Sequence, residues 1–233
     1  MNVREYFEYL KAGKLSELNL GFNQQGGVTD NNIARVAAAI ESGLRALYTR
    51  FPLYQKEVLV REYTAIKLYH LNSKYAQTNQ ESDVPYKYIE DTEADPFLDD
   101  ILIIQEVYTG KGCPVPINDL NDKRSVFTTD HTTIQIPCAK HPNVTSVIYR
   151  AAPLPIDSRC ESTQDLRLPD VLINALDYWV LAELYGAKTS QTDHYKHVQF
   201  KALYREQCDT VTHYGGLQTD NTTSMNFNNR GWV

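Results

Sequence analysis

Residues 29–53 read TDNNIARVAAAIESGLRALYTRFPL and contain the clearest structural pattern in the chain. Apolar side chains recur in this stretch every three or four residues, as they do along the buried face of an α-helix. They are Ile33, Val36, Ala37, Ile40, Leu44, Leu47 and Tyr48. Pro52 ends the pattern because its ring disfavours the helical conformation of Phe51. The stretch therefore predicts a long amphipathic helix, capped by Thr29 or Asp30.

A shorter helix is predicted at the N-terminus. Asn2 is a suitable cap and Gly13 a suitable stop. The apolar side chains between them fall on one face and are expected to be buried. They are Val3, Tyr6, Phe7 and Leu10.

Two more helices are predicted towards the C-terminal end. The first begins at Pro169, which suits a first helical position, and stops at Gly186. The second begins near residues 190–193 and runs to about His213. Because the connection is short, the two are expected to form an antiparallel hairpin. The inner face of the second helix is predicted to carry Tyr195, Val198, Ala202 and Leu203.

The region between the helices is predicted to be rich in β-structure. β-Branched and aromatic residues occur there in short runs, separated by turn signals such as Asp130-His131. The strand candidates are residues 58–60, 65–71, 101–108, 124–128, 132–136 and 144–149.

These elements predict an α+β fold: a mainly α-helical bundle with a β-rich insertion and an extended C-terminal arm. Residues 1–55 and 165–214 are expected to form the helical core, and residues 56–164 the insertion. Residues 215–233 are polar but end in Phe227, Arg230 and Trp232, which are residue types that anchor interfaces. We interpret this tail as a docking arm.

Charge and cysteine content restrict the function. The net charge is −6 and no basic run occurs, which argues against a protein whose main task is binding phosphates. The cysteines have no CxxC spacing, so neither a zinc site nor a disulfide framework is expected, and they are interpreted as small core residues. They are Cys113, Cys138, Cys160 and Cys208. No apolar run reaches the ~20 residues of a membrane span, so we expect a protein of the reducing cytoplasm with no membrane contact.

Two clusters leave an enzyme open as an alternative. His194 and His197, with Asp193 beside them and His213 farther along, have a spacing that suits metal ligands on one helix. Their polar surroundings instead favour solvated surface histidines, so no metal is assigned.

Carboxylates are concentrated around Pro96, where a nuclease could hold magnesium. They are Glu90, Asp91, Glu93, Asp95, Asp99 and Asp100. We interpret residues 90–100 as a solvated acidic loop and as a candidate lining of a DNA channel, where like charge would discourage adhesion. No catalytic residue and no cofactor are assigned.

Several short stretches resemble the adaptor proteins of tailed bacteriophages, over roughly residues 3–213. The similarity at the start lies in residues 10–18, in the helix 33–47, and in Leu47–Leu53 followed by Val58–Val60. Further on it lies in Ile117-Asn118-Asp119, Ile134–Pro137, Ile148–Pro153, Leu168-Pro169 and Ala175-Leu176. The order and spacing of these stretches carry the resemblance.

The resemblance implies a structural virion protein and not an enzyme. Such a protein forms a homo-oligomeric ring of twelve between the portal above and a tail nozzle or tube below, at the head–tail junction of a particle assembled in the bacterial cytoplasm. Viral double-stranded DNA passes through the ring without sequence-specific contacts. The C-terminal segment, here with Phe227, Arg230 and Trp232, reaches into the portal. A gatekeeper or tail terminator from the same neck is the alternative structural role.

Overall fold

A computed structural model describes residues 1–15, 30–188 and 190–214, with side chains at all of these positions except 30 and 31. The chain folds as two compact units. One consists of Met1–Leu53 with Pro153–Val233, as far as these residues are described, and the other of Tyr54–Ala152. We call them the terminal unit and the central unit.

The described part of the terminal unit contains four α-helices. They are α1 (Val3–Ala12), α2 (Asp30–Arg50), α3 (Ile173–Gly186) and α4 (Gln191–His213). The predicted start of α1 is confirmed. Asn2 Oδ1 accepts from the Glu5 N–H at 2.8 Å, and Glu5 Oε2 accepts from the Asn2 N–H at 3.0 Å. This reciprocal pair satisfies two amides that the first turn leaves without helical partners.

The predicted buried faces of α1 and α2 are also confirmed. On α1 the buried side chains are the four expected from the sequence, and α2 buries its apolar positions from Val36 to Tyr48. The helix ends at Arg50, just before Pro52. The predicted cap at Thr29 or Asp30 lies outside the described side chains.

Near the C-terminal end, Pro169 has a different place from the predicted one. It precedes a short 3-10 turn at Asp170–Leu172, and α3 begins only at Ile173. The predicted stop at Gly186 is confirmed, and α4 begins within the predicted residues and ends at His213.

Helices α2 and α3 approach each other closely at Gly43. A Cβ atom at this position would lie 2.6 Å from Leu176 Cδ1 and 2.9 Å from Trp179 Cδ1. The missing side chain therefore lets the two helices pack closely, and the Trp179 indole N–H donates to Ser42 Oγ beside the contact.

The central unit contains two antiparallel sheets in its described residues. The first has five strands in the order β3-β1-β8-β4-β5 and the second three in the order β2-β7-β6. Their bounds are β1 (Gln55–Arg61), β2 (Leu68–His70), β3 (Ile89–Glu90), β4 (Ile101–Thr109), β5 (Pro114–Val115), β6 (Phe127–Asp130), β7 (Thr133–Gln135) and β8 (Val144–Ala151). The very short β3 and β5 were not predicted.

The core of the central unit lies on one face of the five-stranded sheet. Val58 and Val60 of β1 alternate with more exposed neighbours, and Val58 pairs with the buried Val147 of β8. Glu62 is buried at the end of β1, where its carboxylate accepts from the Lys140 N–H and the Thr145 hydroxyl, each at 2.7 Å. Hydrogen bonds compensate for the lost solvation of this charge.

The prediction of a mainly helical bundle is wrong. Among the described residues there are four α-helices and eight strands in two antiparallel sheets, with 37% helix and 23% strand. The central unit has its own apolar core and is a folded body in its own right. The helical period extends over long segments, so helices dominated the prediction. Strands of two to four residues give almost no periodic signal and were given too little weight.

Residues 153–164, which the sequence reading had assigned to the β-rich insertion, belong to the terminal unit. The Val3 N–H donates to the Gln164 carbonyl at 2.9 Å, and the Leu166 N–H donates to the Met1 carbonyl at 3.2 Å. This segment therefore runs along the start of α1. No helix in the described parts of the chain has the length and apolar content needed to cross a bilayer.

Candidate functional site

The helices of the terminal unit surround a groove of about 440 Å³. Its walls come from the end of α1 and from α3 and α4. Four aromatic residues contribute to the lining, Tyr9, Tyr178, Tyr185 and Phe200, together with two lysines, Lys14 and Lys196. We call this site the aromatic–lysine groove.

Helical spacing places the rings of the groove together. Tyr178 and Tyr185 are two turns apart on α3, so they lie on the same side of that helix. Phe200 of α4 stacks against both, with ring centroids 6.3 Å from Tyr178 and 5.6 Å from Tyr185. Tyr185 is buried, and the three rings form a packed apolar wall.

Three lysines hold positive charge over these rings. Lys14 Nζ lies 5.7 Å from the Tyr178 centroid, and Lys196 Nζ and Lys188 Nζ lie 5.0 Å and 5.3 Å from the Tyr185 centroid. Such contacts contribute about 0.5–1 kcal/mol each at exposed sites. None of the three lysines forms a salt bridge with another described residue. The groove is therefore a basic site in an acidic chain.

A buried carboxyl group lies beside the groove. Asp177 is fully buried and accepts from the Tyr6 hydroxyl at 2.9 Å and the Tyr9 hydroxyl at 3.1 Å. Burial raises the pKa of Asp177, and this effect outweighs the two hydrogen bonds and the charge of Lys14, which lower it. The cluster ties α1 to α3 and fixes the position of Tyr9 at the groove.

The outer face of α4 differs from the prediction. Tyr195 is 70% exposed and Val198 54% exposed, and Ala202 is also exposed, so the predicted inner face is wrong for these three residues. Tyr204 is buried instead, and it lies about two and a half turns after Tyr195, on the opposite side of the helix. We call Tyr195, Val198 and Ala202 the outer stripe.

Four of the six carboxylates around Pro96 have partners within the central unit. Glu90 binds Arg61 at 2.7 Å, and Asp100 binds Lys56 at 2.7 Å and accepts from the Tyr149 hydroxyl at 3.0 Å. The other two carboxylates with partners are those of Asp91 and Asp99. These four groups hold the acidic loop in place.

Asp91 and Asp99 each fix a neighbouring turn. Asp91 accepts from the Thr78 N–H and hydroxyl and from the Phe97 N–H. Burial raises the pKa of Asp91, but these hydrogen bonds lower it below its ordinary value. Asp99 accepts from the Ser73 N–H and hydroxyl at 2.6 Å.

Glu93 and Asp95 are the remaining members of the acidic loop. Both are exposed, and neither carboxylate has a hydrogen bond or ion pair with a described residue. A role of this loop as a channel lining stays a prediction. Glu93 and Asp95 differ from the other four carboxylates in having no partner among the described residues.

Of the histidines on α4, His197 packs against α3. His197 Nδ1 lies 2.7 Å from the Ala182 carbonyl oxygen, and a Cβ at Gly186 would be 2.6 Å from this nitrogen. The His194 ring stacks on the His197 ring with centroids 6.3 Å apart. In the described parts of the chain, no group of three His, Cys, Asp or Glu side chains is placed to hold a metal ion.

The cysteines divide into two pairs by exposure. Cys160 and Cys208 are buried, whereas Cys113 and Cys138 are exposed, so the expectation of core residues is wrong for the second pair. Burial raises the pKa of Cys160 to about 11 and raises that of Cys208. These buried thiols stay protonated at neutral pH.

Sequence reasoning missed the aromatic–lysine groove. Lys188 and Lys196 lie near Tyr185 in the sequence, whereas Lys14 is far from them and only the fold brings it to the rings of α3. The available signal was the pairing of Tyr178 with Tyr185 on one helix and of Lys196 with Phe200 on the next. Phe227, Arg230 and Trp232 of the predicted docking arm lie outside the described residues.

Comparisons with known proteins do not assign this chain to a family. No family model matches the chain, and no match was found among curated proteins.

Proposed function

We propose that this chain is a structural subunit of a phage head-to-tail connector, which assembles into a ring of twelve between the portal and the tail nozzle or tube. The observation that carries the proposal is the outer stripe of α4. A helix face with Tyr195 and Val198 largely in solvent is unfavourable in an isolated molecule and is typical of a surface that is buried on assembly.

The position of the outer stripe supports assembly from identical copies. It lies on the same helix as Lys196 and Phe200 of the aromatic–lysine groove, so apolar and charged surfaces adjoin on α4. A ring needs two different complementary faces on each subunit, because its contacts run head to tail. A chain with a helical unit and a separate β-sheet unit offers such distinct faces.

The charge of the chain supports the passage of DNA. With a net charge of −6, the protein is not built to hold the phosphate backbone. A ring subunit that faces moving double-stranded DNA has to bind phosphate weakly, since strong binding would block the movement of the DNA.

The portal and the tail enter the proposal as partners through the resemblance of the sequence to phage adaptor proteins. Helices at both ends with a β-rich segment between them are the arrangement that the adaptor resemblance implies, with the portal on one side and the tail on the other. In this proposal the tail residues Phe227, Arg230 and Trp232 dock into the portal, and the protein works in the virion after assembly in the bacterial cytoplasm.

The proposal is tested by mixing the purified chain with a phage portal protein. Light scattering on a sizing column should show a 26.6 kDa chain joining the portal in about twelve copies. A small stable oligomer that ignores the portal would reject the proposal. A sixfold stoichiometry would indicate a gatekeeper or terminator in place of the adaptor.

The role of the tail is tested in the same assay with a chain that ends at Tyr214. We expect this chain to bind the portal more weakly, because it lacks the aromatic and arginine anchors. Portal binding equal to that of the full chain would remove the tail from the proposal.

A further inference from the structure

Two surfaces of this chain carry opposite charge. One is the aromatic–lysine groove of the terminal unit, and the other is the acidic loop of the central unit. We propose that the acidic loop of one copy docks into the aromatic–lysine groove of a second copy. This inference rests on the proposed function, because it supplies the contact between neighbouring subunits of a ring.

The groove has the features of a receptor for an acidic loop. Lys14 and Lys196 line the groove from the end of α1 and from α4, and each ammonium group lies over a tyrosine ring, that of Tyr178 or Tyr185. Leu181 and Phe200 add apolar lining beside the two tyrosines. At about 440 Å³ the groove has room for one or two side chains, with ammonium groups at its rim to pair with carboxylates.

The acidic loop has the features of the matching ligand. Glu93 and Asp95 are its two carboxylates without partners in the described chain. Leu98 is 44% exposed, and Pro96 beside it is exposed as well. The loop thus presents two negative charges next to an apolar side chain, the same combination of chemistries that the groove offers with the opposite charge.

The loop is also held in shape before docking. Thr92 and Asp95 exchange backbone hydrogen bonds, and Phe97 is buried in the central core. Asp91 and Asp99 fix the two ends through Thr78 and Ser73. A preformed loop loses little conformational freedom when it binds, which favours association.

We assign the acidic loop of a second copy as the occupant of the aromatic–lysine groove, because the charges of the loop and the groove are opposite. The loop and groove differ from one another, so their contact is head to tail, and repetition of one head-to-tail contact generates a ring or filament. Exposed ion pairs are individually weak, and several contacts per ring make up for this through avidity. In this proposal Glu93 and Asp95 lie in a subunit interface. They do not line the channel, contrary to the prediction from the sequence.

Zero-length carbodiimide cross-linking tests this contact directly, since it joins a lysine to a carboxylate only when the two touch. The sample is an equal mixture of heavy-isotope-labelled and unlabelled full-length chain. We expect cross-links from Lys14 or Lys196 to Glu93 or Asp95 that combine one labelled and one unlabelled peptide. Cross-links confined to single chains, or none at these residues, would overturn the proposal.

Charge reversal provides the second measurement. Lys14→Glu with Lys196→Glu reverses the groove, and Glu93→Lys with Asp95→Lys reverses the loop. Each reversal alone should weaken self-association by about tenfold or more in sedimentation velocity, because like charges then face each other. Mixing the two reversed chains, or combining all four substitutions in one chain, should restore it.

The matched control is Lys111→Glu with Lys123→Glu, two exposed lysines that belong to neither surface and give the same change in net charge as the groove reversal. We expect this chain to associate like the wild type. A groove reversal that associates as well as this control, or a quadruple variant that fails to recover, would overturn the contact.

These results separate the inference from the proposed function. Mixed-isotope cross-links in a chain that ignores the portal would support the loop–groove contact and reject the connector. Binding to the portal in about twelve copies without such cross-links would support the connector and overturn the loop–groove contact.

Discussion

The buried carboxyl group of Asp177 joins α3 to α1 within the terminal unit. Tyr6 and Tyr9 of α1 both donate their hydroxyl groups to it. Full burial is unfavourable for the ionised form and raises the pKa of Asp177. The folded state therefore binds this proton more tightly than the unfolded state.

This raised pKa predicts the pH dependence of an Asp177→Asn variant. The contribution of Asp177 to stability is fully present below the ordinary carboxyl pKa and is lost as the pH rises through the raised pKa of the folded state. Asparagine does not titrate. Its destabilisation relative to wild type should therefore be greatest in acid and shrink towards neutral pH, as measured by urea unfolding over that range.

The control for this prediction is Glu8→Gln, which changes an exposed carboxylate on α1, the helix that carries Tyr6 and Tyr9. The free energy of unfolding of this variant should follow the wild-type pH curve closely. A difference between Asp177→Asn and wild type that grows as the pH rises would contradict the assigned direction of the pKa.

Among the acidic-loop residues, Asp100 and Glu93 should respond differently to loss of charge. Asp100→Asn removes the ionised partner of Lys56 and is expected to lower the free energy of unfolding by about 1–3 kcal/mol. Glu93→Gln, at an exposed carboxylate without a described partner, should change it by less than about 0.5 kcal/mol. Denaturant unfolding of both variants checks the pair. Equal effects would show that the contacts of Asp100 do not stabilise the fold.

At the level of elements, α4 shows how packing chooses the face of a helix. Only its second half has buried residues, Tyr204, Cys208 and Val211. The Tyr204 ring meets the Trp179 ring of α3 edge to face, with centroids 4.8 Å apart. This contact sets the rotation of α4 and leaves the outer stripe in solvent.

The assigned rotation of α4 predicts unequal effects of truncating two of its apolar residues. Tyr204→Ala should lower the free energy of unfolding by about 3 kcal/mol or more, because it removes a buried ring. Val198→Ala should change it by less than about 0.5 kcal/mol, since this side chain is 54% exposed. Thermal and denaturant unfolding provide the measurement. A larger effect at Val198 would restore the inner face that the sequence had suggested.

For the whole molecule, the proposed contact between copies predicts an effect of salt on assembly. The Debye length falls from about 8 Å at physiological ionic strength to about 3 Å at 1 M salt, so exposed lysine–carboxylate pairs weaken. Self-association of the wild-type chain should therefore decrease several-fold over this range in sedimentation velocity. The quadruple charge-reversed chain should show the same decrease. Association that strengthens with salt would indicate that apolar contacts of the outer stripe dominate.

The sequence alone determined the helices and their approximate ends. The period of α1 and α2, the cap at Asn2, the break at Pro52 and the stop at Gly186 all act within a few residues of one another. Such local interactions are present in the linear pattern, so they can be predicted without knowledge of the fold. The longer strands were placed for the same reason, through their β-branched residues.

Only the tertiary structure decided how these elements combine. Gln55 of β1 pairs with Arg150 of β8, across most of the central unit, and no local signal specifies that partner. The same holds for the rotation of α4, which α3 sets, and for Lys14, which the fold brings from the end of α1 to the Tyr178 ring of α3. Contacts between residues far apart in the chain depend on every intervening element, and for this reason the separate β core and the aromatic–lysine groove emerged only from the fold.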